Sequence, residues 1–175
     1  SVASEPAPLG GMSLLRARAE FESSNTLFES ACPAELPVAV AEYPDLNFIA
    51  PGTILSKLGA VICGLPVEHP TRLDQVLMYT NYNRDLTINL IDSLRLTNHY
   101  ELLYYIYAKL GATLKRFHQS GFYRYSGHPG NFIFDPKSQE VILVDLDSSQ
   151  NLTKVSVKTR KLYIARDLAS AIYHL

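Results

Sequence analysis

One stretch constrains this chain more than any other: GFYRYSGHPGNFIFDPKSQEVILVDLD, from Gly121 to Asp147. It reads as a turn, a Gly-containing loop ending at Asn131, an apolar strand, a polar turn and a second apolar strand. Asp135, Pro136, Lys137 and Ser138 lie between two short runs rich in Ile, Val and Phe, which is a hairpin signal. Antiparallel pairing brings Asn131, at the entry, to the same end as Asp145 and Asp147, at the exit. Oxygen ligands gathered in this way suit a hard cation such as Mg²⁺, which keeps waters and bridges to phosphate oxygens. The stretch therefore predicts a site that holds a metal against phosphate.

The same residues carry a family resemblance. GFYRYSGHPGN is in register with the catalytic loop of protein-kinase-like enzymes, G-x-x-H-R-D-x-K-P-x-N. It most resembles the H-G-D-x-H-P-G-N variant of aminoglycoside phosphotransferases and choline kinases, with His128, Pro129, Gly130 and Asn131 matching it position by position. Asp145 follows after strand, turn and strand, where that family carries the metal-binding Asp of its D-F-G or D-F-D motif. LKRFHQSG, just upstream, is similar to the family's Leu-x-x-Leu-His-x-x-Gly run, with Phe117 in place of the second apolar residue and His118 kept. For His118 a packing or capping role at a helix end is expected.

The resemblance implies an α+β fold of two lobes: a reduced N-terminal lobe over 1–66 and a mainly helical C-terminal lobe over 67–175. It implies ATP and Mg²⁺ as cofactors, with Asn131 and Asp145 as metal ligands. Cys63, Gly64 and Leu65, at the end of GAVICGLP, fall where the family's hinge meets adenine. Glu20 or Glu22, on the first helix, would reach an ATP-anchoring Lys. The alternative for both glutamates is a solvated helix face. His128 takes the place of the loop Lys or His near the transferred phosphoryl group, where an ordinary loop hydrogen bond is the alternative. Asp147 is either a second metal contact or a turn former. Asp167, on the last helix, falls where the family has an Asp that bonds the catalytic loop's backbone, and an ion pair with Arg166 or Arg160 is the competing expectation.

Two departures decide the function class. The family's catalytic Asp would stand at position 126, and this chain has Ser126, whose hydroxyl cannot accept a proton at neutral pH as a carboxylate can. The family's Gly-rich hairpin and Lys-bearing strand have no counterpart in residues 1–13, and the first Lys of the chain is Lys57. Three readings follow. One is a divergent phosphotransferase in which Asp147 or His128 replaces the lost base. Another is a pseudokinase serving as a regulatory or protein-interaction module. The third is a kinase-like fold turned to another ATP-dependent transfer, such as nucleotidyl transfer.

At 175 residues, 47% apolar and 19% charged, the chain has enough material for one domain or two small lobes with a real core. A net charge of −1 and the lack of any Lys/Arg run argue against nucleic acid as a partner. The partners expected are a nucleotide and an acceptor, small molecule or protein. SVASEPAPLGG has neither a basic start nor an apolar core, so no signal peptide is expected. The apolar run from Phe48 to Val67 is broken by Pro51, Lys57 and Pro66, which speaks against a membrane span. A cytoplasmic protein is expected, with Cys32 and Cys63 as buried thiols rather than a disulfide.

Along the chain, Ser13 is a plausible cap for a helix from Leu14 to about Ser30, with Leu14, Leu15, Ala17, Phe21, Leu27 and Phe28 apolar. PVAVAE from Pro37 and GAVIC from Gly59 read as strands, with a loop from Pro44 to Gly52. Thr71 is expected to cap a helix over TRLDQVLMYTNY, and Leu86 to Leu94 a short one. The longest helix, from about Tyr100 to Gln119, carries Leu102, Leu103, Ile106, Leu110, Leu114 and Phe117 as a buried stripe, with Gly121 just past its end. The final helix is expected from Lys161, with Leu162, Ala165, Leu168, Ala169 and Ile172 turned inward.

Overall fold

The computed structural model describes residues 12–50, 53–68, 70–77, 84–124 and 127–173. The fold is α+β, with five helices and small antiparallel sheets among the described residues. A two-residue strand β1 (Met12–Ser13) leads into helix α1 (Leu14–Glu29). Ser13 caps α1 as expected: its hydroxyl accepts from the Arg16 N–H at 3.3 Å, satisfying one of the donors a helix start leaves open. Strands β2 (Leu36–Ala50) and β3 (Thr53–Gly64) then form one long hairpin.

That hairpin corrects the expected loop from Pro44 to Gly52, since β2 continues through Ala50. Pro44 is tolerated for two reasons. The sheet order β1-β3-β2 makes β2 an edge strand, and Pro44 falls in the register shift between Tyr43 and Asn47. Helix α1 packs on this sheet, but through a different face from the expected one. Leu15 and Phe28 are exposed, while Ala17, Glu20, Ser24 and Leu27 are buried. Two of those four inward residues are polar, which an apolar count cannot anticipate.

The second part begins with β4 (Thr71–Arg72), which pairs with Phe134 and Ile133. Thr71 is therefore a strand residue rather than a helix cap, and α2 (Leu73–Leu77) starts two residues later. Leu73 and Val76 are buried as expected; the rest of the expected helix, from residue 78, lies outside the described residues. Helix α3 (Arg84–Ser93) precedes the long α4 (His99–Gln119). The Asn98 side chain accepts from Glu101 N–H at 3.0 Å, and Glu101 reaches back to Thr97 N–H at 2.8 Å. Leu102, Ile106, Leu110, Leu114 and Phe117 form the buried stripe, and Gly121, at φ +88°, ends the helix in the left-handed conformation that only glycine adopts freely.

After α4 come β5 (Phe122–Arg124), β6 (Phe132–Asp135), β7 (Glu140–Leu143), β8 (Ser149–Asn151) and helix α5 (Val157–Tyr173). β6 and β7 form the expected hairpin, with Phe132 opposite Leu143 and Asp135 opposite Glu140. Its turn is held by Asp135, whose carboxylate accepts from Lys137 N–H, Ser138 N–H and the Ser138 hydroxyl. The Thr113 hydroxyl donates to Val141 C=O at 2.7 Å and fastens β7 to α4. Phe117, Phe132, Phe134, Leu143 and Leu27 belong to one core that joins α1 to the β6–β7 hairpin.

Helix α5 starts four residues earlier than expected and is rotated. Leu162 and Ile172 are each 64% exposed and Leu168 39%, while Asp167 and Ala171 are buried. The rotation follows from what α5 packs against. Tyr163 stacks on Tyr123 at 4.4 Å, and Asp167 bonds β5. Both cysteines are free thiols. No helix among the described residues is long and apolar enough to cross a membrane.

Candidate functional site

The β6–β7 hairpin does what its spacing promised. With the Asn131 amide oriented as its neighbours require, Nδ2 donates to Asp145 Oδ2 at 3.1 Å and Oδ1 accepts from the Arg124 guanidinium at 3.2 Å. Turned over, the amide sets its oxygen against Asp145 at the same spacing. Oxygens bound roughly 2.0–2.1 Å from an octahedral Mg²⁺ lie about 2.9 Å apart along one edge. The pair is thus close to the spacing of two ligands of one hard cation, and turning the amide exchanges its bonds to both Asp145 and Arg124 for that coordination.

Arg124, on β5, is 1% exposed. Its guanidinium donates to the carbonyls of Asn131 at 3.2 Å, Val144 at 2.6 Å and Asp145. One side chain therefore fixes the backbone at both the entry and the exit of the hairpin. Beneath it, Asp167 Oδ2 accepts from the Arg124 N–H at 2.9 Å and pairs with His118 Nε2 at 2.8 Å. Asp167 thus makes a backbone bond of the kind expected of it, to Arg124 on β5. His118 has the structural role expected of it, tying the end of α4 to α5.

Asp145 itself has φ +59° and ψ +61°, a left-handed conformation that Asp tolerates better than most residues. Glu35 holds it there: its carboxylate accepts from Asp145 N–H at 3.3 Å and Leu146 N–H at 3.4 Å. Glu35 is in turn fixed by its own N–H, which donates to Leu143 C=O at 2.9 Å, while Leu143 N–H donates to Pro33 C=O at 3.0 Å. Residues 33–35 thus run beside β7 and tie the N-terminal part of the chain to the site. Enclosure by protein, with Asp147 adding repulsion, raises the Asp145 carboxyl above its usual range, and Arg124, Arg72 and Arg16 oppose this. A bound cation would relieve that repulsion.

Glu35, Cys63, Leu65, Arg72, Ile133, Val144 and Asp145 line a cavity of about 430 Å³. Two of the three hinge candidates, Cys63 and Leu65, thereby meet Asp145 across one space. Gly64 between them ends β3, paired with Leu36. A recess of about 600 Å³ along residues 65–68 and 135–138 adjoins it at Leu65. Of its two carboxylates, Asp135 is committed to the hairpin turn and Glu68 pairs with Lys137 at 3.4 Å, so the smaller cavity is the chemical one.

Of the two helix glutamates, Glu20 is buried and Glu22 is exposed, so Glu22 is solvated surface. The Oε2 of Glu20 is buried without a hydrogen-bond partner. Burial, followed by the charges of Glu35, Asp147 and Asp145, pushes its carboxyl up to about 7, against the pull of Arg16. The folded state therefore holds a proton that the unfolded chain has already released. The stabilisation linked to that proton is complete below about pH 4.5 and is lost as pH rises through about 7. Thermal melts in buffer stripped of divalent cations should show the midpoint falling from pH 5 to pH 8. Glu20→Gln should flatten that fall, and a mutant profile parallel to the wild type would contradict this.

The candidate bases are otherwise engaged. His128 Nδ1 accepts from Gly130 N–H at 3.0 Å, capping the short turn Pro129–Asn131, which is the ordinary loop bond considered for it. Asp147 pairs with Arg16 of α1 at 2.5 Å. Ser126 lies outside the described residues. Arg16, Glu35, Arg72 and Arg124 carry much of the site, and sequence reasoning assigned none of them a role. Glu35 offered one signal, a lone charge inside the otherwise uncharged run ACPAELPVAVA. Arg124 offered none, because its three acceptors are backbone carbonyls up to 21 residues away. In comparison with known proteins, no family model matches the chain and no curated protein matches its sequence.

Proposed function

We propose that the chain is a kinase-like nucleotide-binding domain that holds Mg²⁺-ATP between its N-terminal part, residues 1–66, and its mainly helical C-terminal part, 67–175. The observation that carries this reading is the convergence of Asn131 on Asp145, which lines a cavity with Cys63 and Leu65. In it, Asn131 and Asp145 hold the cation, and Ile133, Val144 and Leu65 offer apolar surface to a base. Mg²⁺ supplies charge neutralisation between the β- and γ-phosphates when bound. Arg72, which lines the cavity and donates to Gly130 C=O, adds a positive charge to face the phosphates.

Within this reading the domain acts as a binding or regulatory module. Phosphoryl transfer depends on positioning and electrostatics more than on a base, but an acceptor hydroxyl still needs a carboxylate or an equivalent to orient it. Position 126 offers a serine, Asp147 is neutralised by Arg16, and His128 is spent on the loop.

Titration calorimetry with ATP tests the proposal. ATP affinity should require Mg²⁺, survive Ser126→Ala, and fall on the order of tenfold or more in Asp145→Asn, which keeps the residue's tolerance of left-handed backbone. Affinity independent of Mg²⁺, or equal in Asp145→Asn, would sink the nucleotide reading. ATP turnover lost in Asp145→Asn would replace the regulatory module with an active phosphotransferase.

A further inference from the structure

On the N-terminal side of the same cavity is a cluster that meets the Asn131–Asp145 pair only through Glu35. Glu20 from α1, Glu35 from the segment before β2, and Cys63 near the end of β3 each place one ligand atom so that all three lie within 4.8 Å of one another. Glu20 and Glu35 are buried, at 7% and 8% exposure, and Cys63 is half-buried. Two carboxylates and a thiol without a cation are an expensive group to enclose, because burial penalises each ionised form. The unpartnered Oε2 of Glu20 makes the point sharper: a carboxylate oxygen more than nine-tenths buried, in the cluster, with nothing donating to it.

We propose that Glu20, Glu35 and Cys63 form a site for a borderline divalent cation, Zn²⁺, bound by two carboxylate oxygens and one thiolate, with water from the cavity as fourth ligand. The donor set selects the metal. A thiolate suits Zn²⁺ and excludes Mg²⁺ and Ca²⁺, which take oxygen ligands. Glu35 can serve both neighbours, since a carboxylate has about four lone-pair directions and only two accept from the Asp145 and Leu146 amides. Cys63 and Glu35 line the cavity, so a cation has a way in. Arg16 and Arg124 lie close enough to offset the net negative charge of three anionic ligands around one dication. Binding displaces the thiol proton of Cys63, whose pKa burial and the two glutamates hold up at about 12, and the proton on Glu20.

This site is independent of the nucleotide reading, and one experiment separates the two. The chelator-treated chain is titrated with Co²⁺, followed by the near-ultraviolet thiolate-to-cobalt charge-transfer band, and Zn²⁺ is then added in competition. The band should appear at one equivalent, be displaced by Zn²⁺ and be indifferent to excess Mg²⁺. Cys63→Ser should abolish it. Glu20→Gln should weaken binding on the order of a hundredfold while leaving the metal-free fold at least as stable, because it removes a group whose ionisation burial penalises. Cys32→Ala, which alters the other thiol, should leave the band unchanged. Asp145→Asn should also leave it, even where that variant has lost ATP. No band in the folded wild type, or a band that persists in Cys63→Ser, would overturn the assignment.

Discussion

Arg124→Ala should cost about 3–5 kcal/mol of folding stability, the range found when one partner of a buried charged network is removed. The side chain is almost wholly enclosed, and three carbonyls, those of Asn131, Val144 and Asp145, take hydrogen bonds from it. Deleting it removes the guanidinium donor from the Val144 and Asp145 carbonyls and leaves the Asn131 carbonyl only the Val144 N–H at 3.1 Å. It also removes a positive charge that acts on Asp145, Asp167, Glu35 and Asp147, although Arg16 still pairs with Asp147. Burial pulls the Arg124 pKa down and those carboxylates push it up, with burial the larger effect. A guanidinium loses its proton only with great difficulty, so the group is still expected to be charged. Arg124→Lys should recover part of the loss at most, since an ammonium cannot span three carbonyls with a planar fork. Urea denaturation gives the answer directly. A change under about 1 kcal/mol for Arg124→Ala would mean that the carbonyls are satisfied by water and that the hairpin does not depend on this residue.

Gly127→Ala is the second large effect, and its cause is steric. A Cβ at position 127 would stand 2.7 Å from Ala171 N, 2.9 Å from Ser170 C and 3.0 Å from Ala171 Cα. These are backbone atoms in the last turn of α5, so neither side can yield by rotating a side chain. The Gly127 N–H also donates to the Ser170 hydroxyl at 3.1 Å, fixing the loop against the helix at the point of closest approach. The expected cost is about 1–3 kcal/mol for Ala and more for Val, as the loop is pushed off α5. Gly111→Ala is the control with the opposite sign. It lies on an open face of α4 with nothing within 4 Å, so it should stabilise by about 0.5–1 kcal/mol. Chemical denaturation of both variants decides it, and equal effects at 111 and 127 would refute the packing account.

The sequence was most readable where the physics is local. The Asp135–Ser138 turn, the cap Ser13, the stripe of α4 and the glycine after it depend on neighbours a few residues away. The meeting of Asn131 with Asp145 was readable too, because hairpin pairing converts spacing into proximity. What escaped was set by distant contacts. The inward face of α5 is determined by Asp167 and by the glycine loop pressed on Ser170 and Ala171, and a count of its apolar residues points to the wrong side. Helix α1 shows the same failure: Glu20 and Ser24 are buried, turned toward Glu35 and Cys63. Pro44 suggested a loop break, yet edge position and a register shift let a strand run through it.

The position of Glu35 has a thermodynamic consequence. One carboxylate contributes both to the acidic and thiol cluster and to the amides that set the backbone of Asp145. An occupant of either place that favours a particular setting of Glu35 must alter affinity at the other, by the same factor in both directions. The two halves of the cleft are therefore linked through a single rotamer, and the sign of that linkage can be measured by weighing one ligand in the presence of the other.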